Sequence, residues 1–187
     1  MLAAVEKFGQ SLNESQGTDI GLFYYSGHGH GDYDKGYYLI PIDDSDLEGH
    51  NLEGKTVSDK TILTQMDHYN KGKGINIVML DACRDNPPFG KKGMGFFRTG
   101  LETHYQSHIV VGFAAELGKT VSDRHNNTYS LYTEKLLEAL EDSSSKPLKN
   151  MFRKVEKEVE IASNGMQIPE TIFFGLVGDN ICLGTCF

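Results

Sequence analysis

The feature that most constrains the fold is a series of short apolar runs that alternate with amphipathic segments. The strongest runs are DIGLFYY (19–25), INIVML (75–80) and HIVVGFAA (108–115). Nearly continuous apolar runs of this length indicate strands that are buried on both faces of a sheet. A further run, YYLIPI (37–42), contains Pro41, which favours an edge or hairpin position. The last apolar run covers 171–177.

Four other segments have apolar residues at helical spacing. The first covers 2–15, and the second begins at Ser58-Asp59, where the serine is a suitable N-cap. The third includes 129–140, and the fourth follows Pro147 and ends at Asn164-Gly165. Strands that alternate with helices predict an α/β fold, in which a mainly parallel sheet is covered by helices on both faces.

Composition places the chain among ordinary globular proteins. With 187 residues, of which 39% are hydrophobic and 24% charged, a single domain is expected. A domain of this size buries roughly 70% of the surface that its unfolded chain exposes. No apolar run approaches the roughly 20 residues that span a bilayer, so no membrane partner is expected. Residues 1–5 do not resemble the start of a secretory signal, which predicts a cytoplasmic location.

Charge and cysteine content exclude further classes of protein. A formal net charge of -8 argues against a nucleic-acid partner, since such binding depends on Lys and Arg, and it suits basic substrates. Three cysteines are too few for a disulfide framework, and their spacing does not form a paired C-x-x-C zinc motif. Cys182 and Cys186 are therefore interpreted as packing residues or exposed thiols.

Two motifs with reactive side chains follow the first two long apolar strands. SGHGHG (26–31) comes directly after the first strand, and DACRD (81–85) comes directly after the strand at 75–80. Ligands of open α/β sheets bind at the carboxyl ends of strands, and the ends of parallel neighbours lie only about 4.8 Å apart. We therefore expect His28 and Cys83 to meet over one cleft.

The chemistry of this pair is that of a thiol nucleophile and its base. A free cysteine is only a few per cent ionised at neutral pH, and a nearby imidazole is the usual activator. The amides of Gly29 and Cys83 would then form an oxyanion hole, in which each donor contributes roughly 3 kcal/mol. Taken singly, such a cysteine is more often a core residue and such a histidine a turn residue. The coincidence of two matched motifs favours catalysis, with His28 as base and Cys83 as nucleophile.

The two motifs resemble those of a known family. YYSGHG and the later IVMLDACRDNP are similar to the bacterial, metacaspase-like branch of the caspase superfamily of cysteine peptidases, peptidase C14 type. The stretch VVGFAAELGKTVSD and the pattern Gln167-x-Pro169-Glu170 with Gly178-Asp179 extend the resemblance. About 55 residues separate His28 from Cys83, close to the roughly 50 of caspases. The resemblance implies a three-layer caspase-like α/β/α sandwich and metal-free hydrolysis of a protein or peptide substrate through an acyl-enzyme.

The resemblance also implies a domain organisation. Residues 1–187 would form one caspase-like catalytic domain, with a p20-like part at 1–90, a p10-like part at 105–187 and a linking loop between them. Lys92 and Arg98 lie in this glycine-rich loop and are predicted sites of self-processing. The strands that open such a domain are missing, so the fold is expected to be N-terminally incomplete. A partial sequence, a truncated gene or another chain that completes the sheet would each explain this.

Substrate preference follows from the residue two positions before the cysteine. Aspartate-cutting caspases have Gln there, whereas this chain has Asp81. In metacaspases the corresponding Asp, together with the Ser two before the catalytic His, lines a pocket for Arg or Lys, which assigns Asp81 and Ser26 to the S1 pocket. The alternatives are a strand-end carboxylate that caps a loop and a serine that only makes hydrogen bonds in a turn.

Other functions are also compatible with the residues. The chain could be a catalytically incompetent caspase-like interaction module or a truncated remnant. His28 and His30 could bind a metal ion with Asp32 or Asp34, but no further ligand is placed with them. Ca²⁺ could bind, as in some metacaspases, to Asp32, Asp34 and an acidic loop at 43–46 with Asp43, Asp44 and Asp46. No EF-hand spacing is present, however, and a solvated acidic loop is the favoured alternative. We therefore predict no metal and no cofactor.

Overall fold

The structure of the protein is a computed structural model that describes most of the chain. The described residues are 1–14, 20–32, 36–41, 56–70, 74–82, 105–116, 121, 128–142, 146–175 and 181–183. Every predicted strand and helix overlaps these ranges. Cys83, Lys92 and Arg98 lie outside the described residues, as do Asp34 and the acidic loop at 43–46.

Six strands and four helices are found in the described ranges. The strands are β1 (Ile20–Asp32), β2 (Gly36–Ile40), β3 (Val57–Ser58), β4 (Ile75–Ala82), β5 (His108–Phe113) and β6 (Glu170–Phe174). The helices are α1 (Leu2–Glu14), α2 (Asp59–Asn70), α3 (Leu131–Glu141) and α4 (Leu148–Ala162). The strands form one sheet in the order β3-β2-β1-β4-β5-β6.

The centre of the sheet is parallel and its flanks are antiparallel. Strand β4 pairs in parallel with β1 on one side and with β5 on the other. β2 runs antiparallel to β1, β3 to β2, and β6 to β5. Only residues 33–35 separate β1 from β2, and so short a connection excludes a parallel crossover. The predicted parallel sheet is therefore realised in the three central strands.

Both faces of the sheet are covered, which confirms the predicted three-layer α/β/α arrangement. Strand β4 alternates between two cores, because successive side chains of a strand point to opposite faces. Val78 and Leu80 pack with residues of α1 and α2, including Val5, Ile62, Leu63 and Met66. Ile77 and Met79 pack with residues of α3 and α4, including Leu136, Phe152, Val155 and Val159. Burial of each apolar side chain of this size stabilises the fold by roughly 1.5–3 kcal/mol.

Helix ends match the predicted caps. At the start of α2 the backbone N–H of Thr61 donates to Ser58 Oγ at 3.1 Å. After α4, Asn164 and Gly165 have positive φ values of 53° and 75°, a conformation that L residues other than Asn rarely adopt. The Gly165 N–H returns to the Glu160 carbonyl at 2.8 Å, which satisfies one of the last helical acceptors. Within the described residues, no helix combines the length and apolar character needed to cross a membrane.

Strand β1 is longer than the sequence predicts and changes its partner halfway. Its residues 20–27 pair with β4, and its residues 28–32 pair with β2. The glycine-rich motif, which the sequence indicates as a turn, therefore continues the strand. Pairing with β2 compensates for the low intrinsic strand propensity of glycine in this segment.

One flank of β1 lacks a paired strand in the part of the chain that the structure describes. Residues 20–27 pair with β4 on one side, and no described strand pairs with them on the other. Ile20, Leu22 and Tyr24 alternate along this segment with exposed fractions of 39%, 41% and 42%. These side chains form an apolar row on one face, beside an unpaired strand edge of the kind that proteins normally cover.

A buried polar network joins the amino-terminal ends of β4 and β5. Asn70 Nδ2 donates to Asn76 Oδ1 at 2.9 Å, and Asn76 Nδ2 donates to Ser107 Oγ at 2.8 Å. The Ser107 hydroxyl and backbone N–H both donate to the Asp67 carboxylate. This network fixes where β5 begins relative to α2, at the end of the sheet away from the two motifs.

Candidate active site

The two sequence motifs meet where β1 changes its partner. In the parallel pairing of β1 with β4, Ser26 lies opposite Asp81 and Gly27 lies opposite Ala82. The pairing ends there, and His28 and Cys83 are the next residues of their two segments. His28 belongs to β1 and is exposed, while Cys83 lies outside the described residues. The Cα register thus brings the predicted S1 residues side by side.

A pocket opens at this edge of the sheet. It has a volume of about 190 Å³ and is lined by Ser26, Gly27, His28, Asp81, Val121 and Ser130. Three of the sequence-predicted site residues, Ser26, His28 and Asp81, therefore line the same cavity. Gly29 follows His28 in β1, opposite Leu39 of β2.

Asp81 is the buried charge of this pocket, since only 4% of it is exposed. Its Oδ2 atom accepts hydrogen bonds from the hydroxyls of Ser130 and Thr133. Ser130 is the N-cap of α3, and its Oγ also accepts from the Thr133 backbone N–H at 3.0 Å. The carboxylate lies beside the amino terminus of α3, where the aligned peptide dipoles favour negative charge.

Tyrosines near Asp81 titrate above their ordinary range. Burial raises the pKa of Tyr24, and the charge of Asp81 adds to this, whereas hydrogen bonds to Thr133 and Ser26 act in the opposite direction. Burial also raises the pKa of Tyr132, with a further contribution from Asp81. The Tyr132 hydroxyl has no hydrogen-bond partner among the described residues. Both phenols are therefore neutral at physiological pH and can act only as hydroxyl groups.

The backbone of His28 is fixed by a tyrosine from the same strand. Tyr25 Oη lies 2.8 Å from the carbonyl oxygens of both His28 and Ile40, so its proton serves two acceptors. His28 and Ile40 are themselves paired across β1 and β2. Gly27 lies against this hydroxyl, because a Cβ at position 27 would come within 2.7 Å of Tyr25 Oη. Tyr25 thus couples the histidine to the hairpin, and burial raises the pKa of its phenol.

The metal alternative finds no support in the described residues, which contain no group of three or more His, Cys, Asp or Glu arranged for a metal ion. His30 lies in β1 opposite Tyr38. The backbone of Asp32 is part of β1, whereas Asp34 lies outside the described residues. The prediction that no metal is bound stays a prediction.

One reading of the cysteines is wrong. Cys182, interpreted from the sequence as a packing residue or exposed thiol, is disulfide-bonded. It lies beside Pro147 at the start of α4, in a backbone bridge that holds the segment 181–183 to the helix layer. The chain has only two other cysteines, Cys83 and Cys186, and both lie outside the described residues. Sequence spacing alone gives no indication of this bond.

The sequence did not reveal the hydroxyl groups around Asp81. Ser130 and Thr133 come from a helix about 50 residues further along the chain, and Tyr24 comes from β1. A signal was present in the sequence, since a serine directly before an amphipathic helix is typical of an N-cap. Nothing in that pattern, however, indicates that the cap faces the end of β4.

The sequence model of the caspase domain, peptidase C14, matches residues 1–177. The chain belongs to this family. Among solved structures, it is similar to caspase-1 from Spodoptera frugiperda, with 14% identity and a TM-score of 0.60 over 91% of this chain and 68% of that one. A protein from Geobacter sulfurreducens has 14% identity and a TM-score of 0.57 over 92% of this chain and 72% of that one. These likenesses show a caspase-like fold. No curated protein matches the chain.

Proposed function

We propose that the protein is a cysteine endopeptidase in which His28 and Cys83 form a catalytic dyad. One observation carries the proposal: the parallel pairing of β1 with β4 ends at Gly27 and Ala82, and His28 and Cys83 are the next residues in sequence after this pair. Membership of a peptidase family supports the reaction class. The cavity beside His28 offers room for a substrate side chain.

In this proposal the reaction proceeds through an acyl-enzyme. His28 takes the thiol proton of Cys83, and the thiolate attacks the carbonyl carbon of the scissile peptide bond. The backbone amides of Gly29 and Cys83 donate to the resulting oxyanion. His28 then returns the proton to the leaving amine, and water hydrolyses the thioester in a second step with the same histidine as base. No metal and no cofactor take part.

The proposed specificity is for Arg or Lys at the cleaved position. Asp81 is buried in the wall of the pocket with Ser26 opposite it, so a substrate cation would find a carboxylate in a medium of low dielectric constant. An acidic side chain would be repelled by the same charge. The preferred substrates are therefore proteins or peptides with exposed basic residues.

The test is turnover of matched peptides that differ only at the cleaved position, with Arg, Lys, citrulline or Asp there. Wild-type protein should cleave after Arg and Lys, and Cys83→Ala and His28→Ala should remove this activity. His30→Ala is the matched control, since it lies two residues along the same strand and has no role in the dyad. Full turnover by Cys83→Ala, or a preference for Asp, would overturn the assignment.

A second candidate, a caspase-like interaction module without activity, is favoured by the apolar row on β1. Exposed Ile20, Leu22 and Tyr24 beside a strand edge that no described strand covers suit contact with another chain that completes the sheet. Labelling with an arginine chloromethyl ketone separates the two candidates. The peptidase should be labelled at Cys83 and protected by an arginine peptide, whereas an inert module should react no faster than a denatured control.

A further inference from the structure

We propose that the hydroxyls of Tyr24, Ser130 and Thr133, called here the hydroxyl cluster, are positioning groups that set the preference of the pocket for a cationic side chain. They act through Asp81, the carboxylate that meets the substrate cation. This inference rests on the proposed function, because it assumes that Asp81 receives the basic residue. It adds a determinant of specificity that lies on α3 and β1.

The hydrogen-bond directions in the hydroxyl cluster follow from which groups can donate and which can only accept. An ionised carboxylate can only accept, so Ser130 and Thr133 must both donate their hydroxyl protons to Asp81 Oδ2. The Ser130 oxygen is then free to accept from the Thr133 backbone N–H, at 3.0 Å. The Thr133 hydroxyl, whose proton is committed to Asp81, accepts from Tyr24 Oη at 2.7 Å.

Two short chains of donors therefore converge on one oxygen atom. One runs from the α3 backbone through Ser130 to Asp81, and the other runs from Tyr24 through Thr133 to Asp81. The direct distance from Tyr24 Oη to Asp81 Oδ2 is longer, 3.5 Å, so the tyrosine acts mainly through the threonine. Donors in such chains polarise one another and strengthen the final bond.

The arrangement has two consequences for recognition of a cation. Convergent donors on Oδ2 fix the rotation of the carboxylate about its Cβ–Cγ bond, which fixes the geometry that a guanidinium would meet. They also replace the water that Asp81 loses on burial, which lowers the cost of burying its charge. Ser130, Asp81 and Ser26 line the cavity, which places this bonded carboxylate in its wall.

Thr133→Val is the sharpest perturbation. Valine has nearly the shape of threonine and keeps the backbone N–H that donates to Ser130, so the cap of α3 stays intact. The substitution removes the donor to Asp81 and interrupts the chain from Tyr24. Tyr24→Phe removes only the outer donor and should have a smaller effect in the same direction. Thr133→Ser restores the hydroxyl and should restore the wild-type behaviour.

The readout is binding of acetyl-arginine methylamide compared with its neutral isostere acetyl-citrulline methylamide. Both ligands are titrated into the full chain carrying Cys83→Ala and followed by NMR, which makes the result independent of turnover. We expect the ratio of the two affinities to fall about fivefold to tenfold in Thr133→Val, less than the full value of a hydrogen bond to a charged group, because Asp81 keeps the donor from Ser130. The affinity for the citrulline compound should change little.

Ser107→Ala supplies the matched control, because it also removes a buried hydroxyl that donates to a carboxylate, the partly buried Asp67, at the other end of the sheet. It should lower the melting temperature and leave the ratio unchanged. An unchanged ratio in a folded Thr133→Val protein, or no recovery in Thr133→Ser, would overturn the inference while the proposed specificity stands. If the Cys83→Ala protein with Thr133 unchanged binds both compounds equally, the proposed specificity itself is wrong, and the inference fails with it.

Discussion

Removal of the Tyr25 hydroxyl should make alanine at position 27 less destabilising, a coupling that tests how the strand carrying His28 is built. A Cβ on Gly27 would lie 2.7 Å from Tyr25 Oη and 2.9 Å from its Cζ, both closer than real contacts allow. Gly27→Ala should therefore lower the free energy of unfolding by about 1–3 kcal/mol, the usual effect of overpacking. Tyr25→Phe alone should lower it by about 1 kcal/mol, the typical net value of one hydrogen bond.

In the double variant the closest contact, with Oη, is gone, while those with Cζ at 2.9 Å and Cε1 at 3.4 Å remain. The loss should therefore be smaller than the sum of the two single losses by about 1 kcal/mol, within the range of couplings between touching residues. Urea denaturation of the four proteins measures this, and carrying Cys83→Ala in all of them prevents self-cleavage. For a domain of this size, 1 kcal/mol corresponds to roughly 2–4 °C in melting temperature.

Tyr24→Phe with Gly27→Ala is the matched control, because the neighbouring tyrosine directs its hydroxyl to Thr133 and away from position 27. That pair should be additive. If the pair with Tyr25 is also additive within about 0.5 kcal/mol, the Tyr25 hydroxyl does not occupy the space beside Gly27, and the argument that it supports the His28 backbone loses its basis.

Three further predictions follow from the charges of the chain. Asp81→Asn should lower kcat/KM for arginine peptides about tenfold or more, the effect of losing a charged hydrogen bond, with no such loss for citrulline peptides. Prolonged incubation of active protein should give two fragments, cut after Lys92 or Arg98, and mass spectrometry should find none from Cys83→Ala; equal nicking of both would refute self-processing. Lys146 and Lys154 lower the pKa of Asp142 from 3.8 to about 2, so its stabilising effect is present above pH 3.8 and is lost as the pH falls towards 2. In Asp142→Asn the free energy of unfolding should depend slightly less on pH in that window. The effect is small because this ion pair is exposed and screened by salt.

The central strands and the four helices are predictable from the sequence because their signal is local. Strands β4 and β5 are continuous apolar runs, and α4 combines a regular apolar stripe with a proline before it and Asn164-Gly165 after it. Each of these features depends on residues close together in the chain. Burial on both faces of β4 also follows, since a run without polar alternation has no solvent-facing side.

The parts that could not be predicted depend on pairing between distant segments. Strand β3 is two residues long, Val57–Ser58, and no periodicity can reveal so short an element. Continuation of β1 through a glycine-rich motif depends on β2, which contributes the partner for every residue from His28 to Asp32. Likewise Asp81 could be named from its position at the end of β4, whereas the two donors on α3 became visible only once that helix was placed against the strand.

The change of partner in β1 has a mechanical consequence for the site. Up to Gly27 the strand is fixed to β4 and therefore to Asp81, and from His28 onward it is fixed to β2. A displacement of the β1–β2 hairpin would thus move the proposed base, His28, relative to the proposed specificity pocket. The two are close together, since His28 is two residues after Ser26 in sequence and Asp81 lies opposite Ser26 in the sheet. Tyr25 opposes such a displacement, because its hydroxyl contacts a carbonyl on each strand of the hairpin while its ring packs against the core between the sheet and α1 and α2. The position of the proposed base therefore depends on the packing of a residue that has no part in the proposed chemistry.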